Sequence, residues 1–238
     1  MLKTFKKFYF MIKLGYKYIP IFKNLYLHPY ITLQSKLKQL SQKRQEYSNS
    51  VLDLLNLDIK LIGEFPKQNN VIYTINHRSL LDIIVMEYLF SKHNKAGTWI
   101  AKQELFDAFY GDFFKHSGII GIDLENKKGL LKFFKEIKNI FSNVNDFNLY
   151  IFPEGERNKT DELLKFQSGA SKIAKANNLK VVPVYIEEQL EKVFQEAPFK
   201  EKKTIHVYVG DFISEKNLEQ EYKEFVKQRL KNGNSITR

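Results

Sequence analysis

Val71-Ile72-Tyr73-Thr74-Ile75-Asn76-His77-Arg78-Ser79-Leu80-Leu81-Asp82 is the stretch from which the fold of this chain is read. Its first five residues form an apolar run that predicts a buried strand, and residues 79–90 carry the pattern of a helix. The chain therefore turns between His77 and Asp82, which brings the carboxylate back toward the imidazole. The same His-x4-Asp spacing recurs at His206 and Asp211, where it predicts the opposite. Residues 205–209 alternate like a strand, and an odd offset along a strand sends two side chains to opposite faces. The spacing alone is uninformative; its strand–turn–helix context carries the signal.

Working outward, further strands are predicted at residues 59–62, 98–101, 119–122, 149–152, 181–186 and 205–209. Helices are predicted at 129–142, 168–176 and 217–231. Alternation of this kind means an α/β sheet covered by helices. With 238 residues and 43% hydrophobic content, the chain can bury one substantial core with an appendage. It has no cysteine, which excludes disulfides, thiolate catalysis and Cys-based zinc sites. The histidines are scattered at 28, 77, 93, 116 and 206 with no H-E-x-x-H, so no metal is expected.

The formal net charge is +11, and its location says more than its size. Of 38 Lys and Arg residues, ten lie in residues 1–45, which hold no acid, leaving 28 against 27 acids in the rest. Wound as a helix, Lys3, Lys6, Lys7, Lys13 and Lys17 fall within an arc of about 120°. Phe5, Phe8, Tyr9, Ile12, Tyr16 and Ile19 gather on the other side. A basic face opposite an aromatic one suits a helix in a membrane interface beside anionic lipid. Pro20 and Pro29 are expected to interrupt it, with a second helix at 33–55 folding back. The competing reading buries the aromatic face against the core, and one helix with three faces satisfies both. No run reaches the ~18 apolar residues of a spanning helix, so peripheral attachment at the cytoplasmic face is expected. Nucleic acid is not expected as a partner, because nothing downstream of the basic arm looks like a nucleic-acid module.

A second segment, Phe152-Pro153-Glu154-Gly155-Glu156-Arg157, ends a strand in a glycine turn flanked by an acid and an arginine. The first segment offers a base and its orienter, the second an anion clamp. Together they resemble the N-H-x4-D and F-P-E-G-T-R blocks of glycerolipid acyltransferases of the lysophosphatidic acid acyltransferase type. More blocks follow in that family's order. Ala101-Lys102-Gln103-Glu104-Leu105 resembles A-K-x-E-L, and Gly118-Ile119-Ile120-Gly121-Ile122-Asp123 resembles G-x-I-F-I-D-R. Lys165-Phe166-Gln167-Ser168-Gly169-Ala170 resembles K-F-K-x-G-A, and Val182-Pro183-Val184 the closing V-P-V strand. The resemblance implies a mixed, mostly parallel sheet covered by helices and preceded by a helical pair. The expected division is an N-terminal membrane-interface segment, 1–57, and an α/β acyltransferase domain, 58–238.

The implied reaction carries a fatty acyl group from a thioester, on acyl-carrier protein or acyl-CoA, to the hydroxyl of lysophosphatidic acid. It yields phosphatidic acid and needs no bound cofactor. An alcohol is a poor nucleophile near neutral pH, so His77 is the expected general base. Asp82 would fix its tautomer and stabilise the imidazolium. No covalent intermediate is expected, because the chain has neither cysteine nor a Gly-x-Ser-x-Gly elbow. Arg157 would grip the acceptor phosphate bidentately, with Gly155 letting the backbone approach the anion. Glu154 would orient the acceptor hydroxyl or Arg157, and Arg78 and Lys102 are second-rank anion ligands. Each has a plainer alternative: Ser79 and Asp82 also read as a helix capping box, and Lys102 as a solvated surface lysine.

Two positions depart from the family pattern. Leu124 stands where an arginine credited with holding the acceptor phosphate is usual, and Glu156 replaces the threonine of F-P-E-G-T-R. They keep open another acceptor: glycerol 3-phosphate, a different lysophospholipid or an amino-lipid. A hydrolase and a non-catalytic lipid-binding protein of the same fold are the remaining readings; intact His77 and Asp82 argue against the latter.

Overall fold

A computed structural model describes residues 2–108, 111–123, 126–160 and 162–233, and the side chains among them except those of 2–6, 8, 232 and 233. In chain order the helices are α1 (Leu2–Leu27), α2 (Leu33–Leu55), α3 (Leu81–Lys92), α4 (Glu104–Asp107), α5 (Gly111–His116), α6 (Lys127–Asn143), α7 (Gly169–Ala176), α8 (Leu190–Glu196) and α9 (Leu218–Gly233). The strands are β1 (Leu57–Ile62), β2 (Val71–Ile75), β3 (Gly97–Lys102), β4 (Ile120–Ile122), β5 (Asn148–Ile151), β6 (Lys180–Ile186) and β7 (Lys203–Val209).

The described residues form a seven-stranded sheet in the order β1-β7-β6-β2-β5-β3-β4. The run from β6 to β4 is parallel, β7 is antiparallel to β6, and β1 lies parallel to β7. The sheet is mixed and mostly parallel, as expected. β2 lies between β5 and β6 and is buried along its whole length, which is why Val71–Ile75 reads as a mostly apolar run without a charge. Period-2 alternation divides its side chains. Val71, Tyr73 and Ile75 enter a core shared with α1, α2 and α3, while Ile72 enters a second core with α6 and α7. The five strands β6, β2, β5, β3 and β4 deliver their C-terminal ends to one side of the sheet, and the two motif segments leave β2 and β5 there.

Two N-terminal expectations are corrected. Pro20 lies inside α1 and does not interrupt it. Its missing N–H would have bonded the carbonyl of Tyr16, a residue 79% exposed, so the lost bond falls on the solvent side. On the opposite side Leu14, Tyr18 and Phe22 are buried in the core and hold the helix across the proline. Lys7 is not on a solvated basic face; it is buried, its Nζ donating to the carbonyls of Phe194 at 2.5 Å and Ala197 at 3.3 Å. Burial depresses its pKa, and Glu191 opposes that shift. Tyr9, Ile12, Tyr16 and Ile19 are exposed, so α1 has a core face and a separate exposed aromatic face. The side chains of Lys3, Phe5, Lys6 and Phe8, and all of Leu124, lie outside the described residues. No described helix is long and apolar enough to cross a membrane.

Candidate active site

His77 leaves the end of β2, and α3 starts four residues later at Leu81. The turn between them brings His77 Nδ1 to 2.9 Å from Asp82 Oδ2. That same oxygen accepts the backbone N–H of Arg78 at 2.6 Å and of Ser79 at 2.8 Å. Asp82 is 1% exposed, in the first turn of α3, where the helix dipole also favours its charge. The carboxylate can only accept, so the neutral imidazole carries its proton on Nδ1 and leaves the Nε2 lone pair available. The capping-box expectation is half right. The helix N-cap is Leu80, which makes no side-chain cap bond, and Ser79 Oγ accepts the Leu81 N–H at 3.3 Å. Asp82 serves the turn and the histidine with one oxygen.

The second segment closes over the first. Glu154 is 2% exposed; its Oε1 accepts the His77 backbone N–H at 2.9 Å. Its Oε2 accepts from Asn158 Nδ2 and the Leu164 N–H, each at 2.9 Å. Asn158 returns its own N–H to the His77 carbonyl at 2.7 Å. Glu154 therefore holds the backbone of the histidine and does not orient Arg157. Gly155 has φ +74°, where a Cβ would meet Gln167 Cγ at 2.9 Å. Glycine is required by that turn, but its N–H is spent on the Phe152 carbonyl at 3.1 Å instead of facing an anion.

Of the expected cations, Arg157 is exposed and has no ion-pair partner among the described residues. Glu156 beside it is exposed too. Lys102 is exposed at the end of β3, two strands from β2. Arg78 is corrected: it is 6% exposed, donating to the Glu187 carbonyl at 2.9 Å and to Tyr185 Oη at 3.3 Å. It braces the ends of β2 and β6 from inside.

Several supporting residues escaped the sequence reading. Asn76 is buried and exchanges two bonds with Ile186, its Nδ2 donating to the carbonyl at 2.9 Å and its Oδ1 accepting the N–H at 2.7 Å. Phe152 lies flat on the His77 ring, with centroids 3.8 Å apart and planes 8° from parallel. The one signal for Phe152 is alternation: it follows Tyr150 by two residues, as His77 follows Ile75, on the same face of the sheet. His206 does not meet Asp211; its Nδ1 is 2.7 Å from Glu188 Oε1. Glu187, Glu188 and His206 are the described residues grouped closely enough to hold a metal. Both Glu188 oxygens already serve His206, and Glu187 accepts from Tyr208 Oη at 2.8 Å.

The arrangement is a histidine bonded to a buried carboxylate at the C-terminal end of β2, with an exposed arginine in the segment that follows β5. The sequence model of the acyltransferase family matches residues 56–187. A 1-acyl-sn-glycerol-3-phosphate acyltransferase of Helicobacter pylori is 35% identical over 191 residues, covering 77% of this chain and 78% of that protein. A 1-acyl-sn-glycerol-3-phosphate acyltransferase of Cocos nucifera is 31% identical over 134 residues, 56% of this chain and 42% of that one. The crystal structure of the 1-acyl-sn-glycerophosphate (LPA) acyltransferase PlsC from Thermotoga maritima superimposes with a TM-score of 0.65. It covers 98% of each chain at 19% identity, a likeness of fold.

Proposed function

The chain belongs to the acyltransferase family, and from that premise we propose that it acylates lysophosphatidic acid to phosphatidic acid. The donor is an acyl thioester, on acyl-carrier protein or acyl-CoA. The 2.9 Å bond between His77 Nδ1 and Asp82 Oδ2 carries this reading. It leaves Nε2 to take the proton of the acceptor hydroxyl as the oxygen attacks the thioester carbonyl. Asp82 stabilises the imidazolium that forms. The tetrahedral intermediate collapses with cleavage of the C–S bond, and the imidazolium returns its proton to the departing thiolate. The histidine ends as it began, and no acyl-enzyme is formed. Arg157, exposed and without a salt bridge among the described residues, grips the acceptor phosphate. Lys102 is a second, weaker cation at the same edge of the sheet. No bound metal or cofactor takes part.

The protein works as a peripheral protein on the cytoplasmic face of a membrane. The exposed Tyr9, Ile12, Tyr16 and Ile19 of α1, flanked by exposed Lys13 and Lys17, support that reading. Such a face enters the headgroup region while the lysines meet anionic lipid. Exposed Glu156 beside Arg157 favours a second reading, the same chemistry on an acceptor with a cationic group.

The test uses purified wild type and His77→Ala on liposomes containing lysophosphatidic acid and an acyl thioester, following thiol release and lipid product. Phosphatidic acid from wild type alone is the expected result. Thiol release with free fatty acid would replace the transferase with a hydrolase. Activity with an amino-lipid or glycerol 3-phosphate, but not lysophosphatidic acid, would replace the acceptor. Full turnover by His77→Ala would sink the assignment of the base.

A further inference from the structure

Resting on the reading of His77 as the base, we propose that Phe152 and Trp99 are positioning residues that hold its imidazole in the working plane through a stack of three rings. Phe152 covers the His77 ring at 3.8 Å and 8°, and Trp99 backs Phe152 at 4.9 Å and 27°. The sheet register builds this stack. Tyr73 of β2 and Trp99 of β3 both pair with Tyr150 of β5. Continuing by twos along each strand then carries Phe152 and His77 onto the face where Trp99 lies.

The far end of the stack is fixed. Trp99 is 2% exposed, and its Nε1 donates to Glu87 Oε1 at 3.0 Å. That oxygen also accepts from Arg44 Nε of α2 at 2.7 Å. Arg44 in turn donates to the carbonyls of Ser117, at 2.5 Å, and Gly97. A buried chain thus runs from the N-terminal helical pair to the candidate base.

The Asp82 bond fixes where Nδ1 lies but leaves the ring free to pivot about that contact. A flat ring against its face removes the pivot and so sets the direction of Nε2.

The experiment compares Phe152→Leu, Phe152→Met, Phe152→Tyr and Trp99→Phe with wild type and His77→Ala, measuring kcat, both KM values and melting temperature. Leu and Met fill the space without a π face; Tyr keeps it. Phe152→Leu and Phe152→Met are expected to lose about tenfold or more in kcat, with KM within about twofold. Phe152→Tyr is expected to retain most activity, and Trp99→Phe, which loses the bond to Glu87 and part of the buried ring surface, to fall between. The idea fails if the Leu and Met variants keep wild-type kcat, if their loss appears only in KM, or if Tyr does not rescue. An inactive His77→Ala beside an unimpaired Phe152→Leu overturns this inference alone; an active His77→Ala overturns the base reading as well.

Discussion

The carboxylate of Glu154 accepts the backbone N–H of His77 at 2.9 Å, so an acid in the second motif holds the main chain of the first. Its other oxygen accepts two further donors, Asn158 Nδ2 and the Leu164 N–H. Glu154→Gln replaces one acceptor by a donor and leaves buried N–H groups facing it. The expected cost is about 2–3 kcal/mol, a fall in melting temperature of roughly 4–12 °C for a chain of this size. KM for the acceptor should stay near wild type. A large rise in KM without loss of thermal stability would return Glu154 to the role of substrate ligand.

Asp82→Asn keeps the shape of the side chain and removes its charge. The amide oxygen can still accept from the Arg78 and Ser79 N–H groups, but the imidazolium formed in the reaction loses its counter-charge. On the proposed mechanism, kcat should fall by about 10²–10⁴ with little change in KM for the thioester. A loss under tenfold would mean that Asp82 serves only the turn before α3.

Arg157→Lys preserves charge but not the two-pronged fork that matches a phosphate. KM for lysophosphatidic acid should rise by about tenfold, and further in Arg157→Ala, and added salt should raise the wild-type KM and narrow the gap to Arg157→Ala. A neutral acceptor lacking the phosphate should be acylated equally by all three proteins. Equal impairment on both acceptors would remove Arg157 from phosphate recognition.

Glu87 is fully buried opposite Arg44, and burial pushes its carboxyl up while the guanidinium opposes that shift. Arg44→Met leaves the carboxyl without its counter-charge, at an expected cost of about 3–5 kcal/mol. In that variant the folded state holds the Glu87 proton more tightly than the unfolded chain does. Its stability is therefore greatest at low pH and falls as pH rises toward the raised folded value. Melting curves should show a smaller deficit against wild type at pH 5 than at pH 8. The double variant Arg44→Met/Glu87→Met should recover most of the loss; an equal deficit at both pH values would contradict this account.

The strands were legible because each is a short run of apolar or alternating residues, and their expected positions agree with the observed ones to within two residues at either end. The short helices α4, α5 and α8 were not legible, since four to seven residues give too little periodicity to register. Pro20 misled because its effect depends on which side of the helix its carbonyl partner faces, and that needs the packing of Leu14, Tyr18 and Phe22. The burial of Arg78 was not legible either: nothing local reveals that the end of β6 offers it the Glu187 carbonyl.

By itself, the sequence determined the α/β class, the positions of the strands, the turn that joins His77 to Asp82 and the concentration of charge in the first helices. All of these rest on local patterns: apolar alternation, turn chemistry and residues within one turn of each other. Only the tertiary structure decided what the remaining motif residues do. Glu154 reaches His77 because β5 lies beside β2, and the His77–Phe152–Trp99 stack exists because three strands share one register. The anchoring of Trp99 through Glu87 to Arg44 adds a residue of α2 more than 50 positions away in sequence. Such contacts depend on strand order and facing, which a one-dimensional pattern does not specify.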